Sequence, residues 1–369
     1  MIRTLAVAFM VALLFTLMGL MHYYVYRRTG ALLGLPKSPA LFIFLALLTI
    51  LFPLAMVLSR TVDGPLMRVL YIAAASWLGL MFLAFTASAL VHLIQLLFDL
   101  VRHPLGQRTL GWSTIGLSLL VFFYGLVNAA VIRTTEITIG IKGLREPKVT
   151  IALLTDIHMG AVYGPKYLQK IVDRTNALNP GLVAIAGDLF DGSAKPDYRL
   201  VKPLEGLQAP AFFVTGNHEI YEGVDITTAL VAKAGVRVLR NETAECCGLQ
   251  LLGVDSPRGN SKSNPALLEL AAKPDRDREK PSVLLYHIPL GTADAKSTGI
   301  DLQLSGHTHN GQIFPFSLFM PLVYRFYSGY GRDGDFQVYV SHGVGNWGPP
   351  LRIGSRSEII KIDLVPAEK

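Results

Sequence analysis

The stretch VTIALLTDIHMG, residues 149–160, joins an apolar run to a polar turn, and this combination decides the class of fold. Residues 149–156, VTIALLTD, are predicted to form a buried strand that ends in a turn. Asp156 and His158 stand at that end, two residues apart. Because ligands of α/β domains bind beyond the carboxyl ends of strands, both side chains are candidate site residues.

The same pattern recurs through the second part of the chain. Between the first two strands, residues 164–180 (GPKYLQKIVDRTNALNP) have apolar positions at helical spacing, and Pro165 suits a first helical turn. Alternation of apolar strands with helices predicts an α/β class, with sheets covered on both faces. The further strands are predicted at 181–188, 211–218, 282–287, 302–307, 336–343 and 358–364.

Polar residues with metal-binding chemistry collect at these strand ends, where five of the nine histidines lie. Imidazole and carboxylate ligands together suit divalent ions such as Mn²⁺, Fe²⁺ and Zn²⁺. The two cysteines, Cys246 and Cys247, are adjacent and lack the spacing of a zinc site. The pattern therefore predicts two divalent ions that grip a phosphate group. Its members are Asp156, His158, Asp188, Asp191, Asn217, His218, Glu219, His287, His307 and His309.

Five short motifs, in this order, resemble the signature blocks of the calcineurin-like metallophosphoesterase superfamily. They are Asp156-x-His158, Gly187-Asp188, Gly216-Asn217-His218-Glu219, His287 and Gly306-His307-Thr308-His309. The resemblance covers about residues 148–365 and is closest between Asp156 and Gln312. It implies a four-layer α/β/β/α metallophosphoesterase sandwich. It also implies a hydrolase in which a metal-bridging hydroxide attacks a phosphoester or pyrophosphate bond.

The resemblance also implies a role for each residue. One metal would be held by Asp156, His158, Asp188 and His309, and the other by Asp188, Asn217, His287 and His307. Asp188 would be the bridge, and His218 the catalytic group beside the phosphate. Asp191, Glu219, Asn310, Gln312 and His342 are expected around this centre, with Glu219 orienting a histidine. His342 is either a substrate contact or part of a structural loop.

The first third of the chain has a different character. The whole sequence is 51% hydrophobic and only 17% charged, and the apolar residues concentrate before Arg133. Each apolar run reaches the roughly 20 residues that cross a bilayer as a helix. The first run is longer than a signal-peptide core and ends in aromatic and basic residues. We expect transmembrane helices at about 4–26, 40–59, 69–100 and 110–132, a transmembrane region 1–133 and a catalytic domain 134–369.

The net charge of +7 suits a protein beside anionic lipid. Nucleic acid is the competing partner, but no basic run with interleaved aromatic residues supports it. The loops at residues 27–39 and 102–109 are basic, which predicts that they are cytoplasmic and that the catalytic domain faces the periplasm across a bacterial inner membrane. Four basic residues that follow the last apolar run favour the opposite orientation; they are Arg133, Lys142, Arg145 and Lys148.

An interrupted apolar stretch, residues 313–332, directly follows the last motif. We expect part of it to form an apolar lip beside the metals, and the substrate to be a phosphate-containing lipid or lipid-linked compound. A UDP-diacylglucosamine-type pyrophosphatase is an alternative, although one group of those enzymes has arginine where His218 stands. The other alternative is a catalytically weak membrane sensor or scaffold. The sequence does not indicate an oligomeric state.

Overall fold

A computed structural model describes residues 2–62, 64–257, 265–273 and 276–367. The chain divides into two compact units. The first ends at Val127 and also includes Gly348–Leu351, and the second comprises the remainder from Asn128 onward. The sequence-based boundary after residue 133 stays a prediction.

Helices occupy all four apolar runs of the first unit. Ser38 caps the second helix, with its Oγ accepting a hydrogen bond from the N–H of Leu41, and proline at the first position favours the helical start. Among the described residues, three of the helices, α2 to α4, are long and apolar enough to cross a membrane. The helices are α1 (Ile2–Leu33), α2 (Pro39–Leu58), α3 (Pro65–Leu100) and α4 (Gln107–Ala130).

The second unit contains the strands that the sequence predicts, together with others. In chain order they are β1 (Ile132–Ile141), β2 (Val149–Leu154), β3 (Leu182–Ala186), β4 (Ala211–Val214), β5 (Arg237–Val238), β6 (Glu242–Cys246), β7 (Leu249–Val254), β8 (Ser282–Tyr286), β9 (Leu302–Ser305), β10 (Gly329–Asp333), β11 (Phe336–Val340) and β12 (Ser357–Pro366). Its helices are α5 (Pro165–Asn176), α6 (Tyr198–Val201), α7 (Asn217–Glu222), α8 (Val224–Lys233), α9 (Pro265–Ala271), α10 (Thr292–Ser297) and α11 (Met320–Val323). Short 3₁₀ turns lie at Lys202–Gly206, His309–Gly311 and Phe316–Leu318.

These strands form two mixed sheets. The first has the order β1-β12-β2-β3-β4-β5, and β2, β3, β4 and β5 are parallel. The second has the order β10-β11-β9-β8-β7-β6, and β7, β8, β9 and β11 are parallel. The parallel strands place their carboxyl ends along one edge of each sheet, where the loops with the candidate residues begin.

Side chains alternate between the two faces of each strand, so each sheet packs against the other sheet on one face and against helices on the other. In β2, Ile151 and Leu153 pack between the two sheets, whereas Ala152 and Leu154 face α5 and α8. The outer face of the second sheet packs on α9 and α10 through residues such as Leu284. The α/β class and the four-layer α/β/β/α order are therefore confirmed. The core between the sheets fixes the position of both strand edges.

Candidate metal centre

The structure brings the predicted ligand residues together at one edge of the second unit. Asp156 and His158 follow β2, and Asp188 follows β3. Strands from the other sheet contribute histidines through the turns after β8 and β9. The complete set after these strands and at the start of α7 is Asp156, His158, Asp188, Asn217, His218, His287, His307 and His309.

One group of ligand atoms comes from Asp156, His158 and His309, and these atoms lie within 4.8 Å of one another. His158 Nε2 is 3.1 Å from His309 Nε2, and His309 Nε2 is 3.3 Å from Asp156 Oδ1. The three side chains are buried. Two imidazole nitrogens that face each other at this distance can direct both lone pairs to one cation.

A second group comes from Asp188, His287 and His307, again within 4.8 Å. His287 Nε2 is 3.1 Å from Asp188 Oδ2, while its Nδ1 bonds to the carbonyl of Ala186 at 2.8 Å. Asp188 also groups with His158 and His218. The carboxylate thus lies between the two groups, where a bridging ligand would have to be.

The ligand residues have unusual backbone conformations. Asp156, His158, Asp188, His307 and His309 all have positive φ, between 48° and 73°. L-residues rarely adopt this region, and each instance costs on the order of 1–3 kcal/mol. Such strain persists only where the surrounding structure enforces it, and here the rigid strands immediately before these turns do so.

Glycines allow the loops to approach the ligands. Gly187 has φ +83°, and a Cβ at that position would lie 2.7 Å from His287 Cγ. Gly343 has φ +84°, and a Cβ there would lie 2.6 Å from Asp156 Cβ. Both contacts exclude a side chain, so the close approach depends on glycine.

Burial keeps three of the imidazoles neutral. It lowers the pKa of His307 to about 4 and holds the pKa of both His158 and His309 well below the usual range. The neighbouring histidines lower these pKa values further. A neutral imidazole is the form that ligates a metal, so these side chains are ready to bind without losing a proton.

The two central carboxylates behave differently. Burial raises the pKa of Asp156 to about 6. Burial also raises the pKa of Asp188, but the charges of His287 and His218 outweigh it and lower that pKa well below its usual range. For His287, burial lowers the pKa, whereas Asp188 raises it, and the balance is about 10. Asp188 is therefore ionised and requires nearby positive charge.

These residues fit a pair of divalent cations. The donor set combines carboxylate oxygens with imidazoles, three of which are neutral, and Asn217 Oδ1 is buried without a hydrogen-bond partner among the described residues. A buried amide oxygen without a partner requires a donor or a cation. Asn217 could supply that oxygen to the cation held by Asp188, His287 and His307.

His218 is held with one ring nitrogen directed into the centre. Its Nδ1 bonds to the carbonyl of Asp191 at 2.9 Å, and its Nε2 lies 4.0 Å from Asp188 Oδ2. Burial lowers its pKa, but the charges of Asp188, Asp191 and Glu219 raise the pKa above its usual value. Asp191 Oδ1 also lies 3.7 Å from His158 Nδ1, so Asp191 contacts both histidines.

Glu219, which the sequence predicts to orient a histidine, contacts backbone N–H groups through both carboxylate oxygens within the described part of the chain. It is completely buried and accepts hydrogen bonds from the backbone N–H groups of Gly216, Asp188, Leu189 and Phe190, at 2.6 to 3.1 Å. Burial raises its pKa to about 7. Its carboxylate fixes the turn that carries Asp188.

The other expected neighbours secure loops. Asn310 Nδ2 donates to the carbonyl of Gly354 at 3.2 Å. Gln312 exchanges two hydrogen bonds with the backbone of Trp347, at 2.9 and 3.0 Å. His342 Nε2 lies 2.7 Å from Ser328 Oγ, which fits the structural alternative for this residue.

Sequence reasoning missed Arg352, a completely buried cation in the glycine-rich loop before β12. It donates to the side chains of Asn346 and Ser355, each at 2.7 Å, and to the carbonyl of His342 at 2.8 Å. Ser355 Oγ in turn donates to the carbonyl of His309 at 2.6 Å. The sequence gives only a weak signal for it, an arginine between apolar residues in a loop that otherwise suits a turn.

Comparison with known proteins agrees with this geometry. The sequence profile of the calcineurin-like phosphoesterase family matches residues 149–311. An uncharacterised metallophosphoesterase of Helicobacter pylori is 37% identical over 225 residues, which cover 60% of this chain and 61% of that protein. One from Campylobacter jejuni is 29% identical over 97% of both chains. A Danio rerio transmembrane protein with metallophosphoesterase domain is 35% identical over 66% of this chain and 60% of its own.

Replacement of Glu219 by glutamine should weaken metal binding at Asp188. The amide would present an N–H group to backbone donors that now meet a carboxylate oxygen, so the turn would shift. Changes around metal ligands typically cost about 10–100-fold in affinity, and we expect this range for Mn²⁺ by titration calorimetry. Glu269→Gln, an exposed carboxylate on α9, is the control. Equal affinity in both variants would contradict this role for Glu219.

Proposed function

Because residues 149–311 match the calcineurin-like phosphoesterase family, we propose that this chain is a metallophosphoesterase that hydrolyses a phosphate bond in a lipid or lipid-linked substrate at a membrane surface. The observation that carries the hydrolase is that Asp188 belongs to two groups of candidate ligands, one with His158 and His218 and one with His287 and His307. When bound, two divalent cations supply positive charge to phosphate oxygens and lower the pKa of water.

The residues of the chain supply the remaining parts of the reaction. Asp156, His158 and His309 hold one side of the centre, and His287 and His307 hold the other. His218 directs Nε2 toward the space above Asp188 because its Nδ1 is fixed by a backbone carbonyl. In its protonated form it donates to a phosphate oxygen or to the leaving oxygen. The raised pKa favours that form.

The lipid part of the proposal depends on the segment 313–323, which we call the apolar segment. It adjoins the centre, because the ring of Tyr324, the residue directly after it, is 6.0 Å from the ring of His307. Phe316 is 49% exposed, Phe319 53% and Leu322 81%. Contiguous exposed apolar side chains of this kind mark a lipid, protein or ligand contact. An acyl chain fits this surface.

The hydrolase proposal predicts that Asp188→Ala abolishes hydrolysis, because both cation groups lose their shared ligand. Wild type and variant would be assayed with Mn²⁺ against phospholipids, undecaprenyl phosphates, nucleotide sugars and a small chromogenic phosphodiester. Removal of all three catalytic residues of a serine protease lowers kcat by about 10⁶-fold. We expect a loss of activity here that is large enough to fall below detection. Full activity in the variant would rule out the metal mechanism.

A charge on the apolar segment should impair lipid hydrolysis selectively. Phe316→Glu and Phe319→Glu each place a carboxylate where an acyl chain would lie, so we expect about tenfold lower turnover of a lipid substrate, since burying a charge is costly. Hydrolysis of a small chromogenic phosphodiester should be unchanged. Ile226→Glu, at an exposed apolar position on α8, is the control. Equal loss on both substrates would remove the support for a lipid-binding lip.

We also propose that the helices of the first unit span a membrane and that the second unit faces the periplasm, on the basis of the basic loops at residues 27–39 and 102–109. Alkaline phosphatase fused after Gly140 should then be active, and the same reporter fused after Lys37 should be inactive. The reverse pattern would place the catalytic domain in the cytoplasm.

A further inference from the structure

The first unit contains a cavity of about 420 Å³ among its helices. Such a volume lies within the roughly 300–1,000 Å³ of sites that hold small molecules. Its walls are largely apolar, with Leu41 and Leu45 from α2, Leu80 and Met81 from α3, and Leu119 from α4. These side chains suit a hydrocarbon chain.

Two cations line the same cavity near the turn between α1 and α2. Arg27 and Lys37 are both exposed, and neither side chain pairs with a carboxylate or donates a hydrogen bond among the described residues. No aspartate or glutamate is among the lining residues. The polar end of the cavity is therefore positively charged and complementary to an anion.

A buried hydroxyl provides a second, independent indication of a ligand. Thr29 lines the cavity, and its Oγ1 is buried without a hydrogen-bond partner within the described part of the chain. By contrast, Thr114 and Ser118 on α4 donate to carbonyls one turn earlier, at 2.9 and 2.6 Å. A buried hydroxyl without a partner requires one, and a phosphate oxygen accepts from a hydroxyl.

We propose that this cavity binds one anionic phospholipid of the surrounding bilayer. The acyl chain lies along the apolar walls, and the headgroup phosphate contacts Arg27, Lys37 and Thr29. A phospholipid is the occupant that combines a hydrocarbon chain with a phosphate at the depth of the basic turn. The inference rests on the membrane location proposed above, and it does not depend on hydrolysis.

Removal of the two charges tests the headgroup contact. The full-length protein would be titrated in detergent with phosphatidylglycerol, and bound lipid would be counted by native mass spectrometry. Arg27→Gln combined with Lys37→Gln should weaken binding about thirtyfold, given the usual contribution of each basic residue near an anionic headgroup. Arg108→Gln, an exposed arginine at the start of α4 that does not line the cavity, should bind as wild type does.

Obstruction of the cavity tests the acyl-chain contact. A Cβ at Gly30, which lines the cavity, meets no atom within 4 Å, so Gly30→Leu introduces a larger side chain at a position where the backbone leaves room for one. This variant should lose most of its bound phosphatidylglycerol. Gly19→Leu is the matched control, because Gly19 also lies in α1 with open space beside it but does not line the cavity.

The variants distinguish a loss of phosphatidylglycerol binding from a loss of hydrolysis. Asp188→Ala should keep full lipid binding while it loses hydrolysis, so an inactive enzyme that still binds phosphatidylglycerol leaves this inference intact. The inference is overturned if the charge variant and the Gly30 variant bind like their controls. It is also overturned if phosphatidylcholine binds as tightly as phosphatidylglycerol, because the lipid would then be only part of the general annulus.

Discussion

Two carboxylates buried side by side, Asp156 and Asp188, set the requirement that the rest of the second unit meets. Asp156 is 0% exposed and Asp188 2%. A buried charge costs several kcal/mol unless it is paired and hydrogen-bonded. The backbone N–H of His307 donates to Asp156, and that of His218 donates to Asp188. His307 and His287, which contact Asp156 and Asp188 respectively, follow strands of the other sheet, so both carboxylates gain partners where the two strand edges meet.

This requirement accounts for the strained turns. A ligand that follows a strand directly must reverse its direction within one or two residues to face the centre, and positive φ at Asp156, Asp188 and His307 does so. The strain is tolerated because the strands before these turns are locked in completely buried cores. Glu219 completes the support, since its carboxylate satisfies N–H groups that a tight turn would otherwise bury without partners.

The sequence predicts the parts of this fold whose signals are local. Buried strands such as β2 and β3 are short apolar runs that end in polar residues, so their positions and the residues after them can be read directly. Strand β6 (ETAEC) is polar and partly exposed, and β1 alternates along a register set by its pairing with distant β12. The pairing of β1 with β12 joins residues more than 200 positions apart, which no local pattern records. Strand β6 pairs with the next strand, β7, but its polar sequence lacks the apolar pattern that marks the buried strands.

In the proposed function the cation centre binds phosphate oxygens, which all phosphate substrates share, so selection among them has to come from residues outside the cation ligands. The nearest polar candidates are already engaged: Gln312 bonds to the backbone of Trp347 through both ends of its amide, and Asn310 donates to a loop carbonyl. They hold the loops in place and offer little for recognition. Close to His307 lies the apolar segment, whose exposed side chains are stabilised when they leave water. In the proposed function, discrimination by this surface acts on the hydrocarbon part of the substrate, and the chemistry at Asp188 acts on its phosphate.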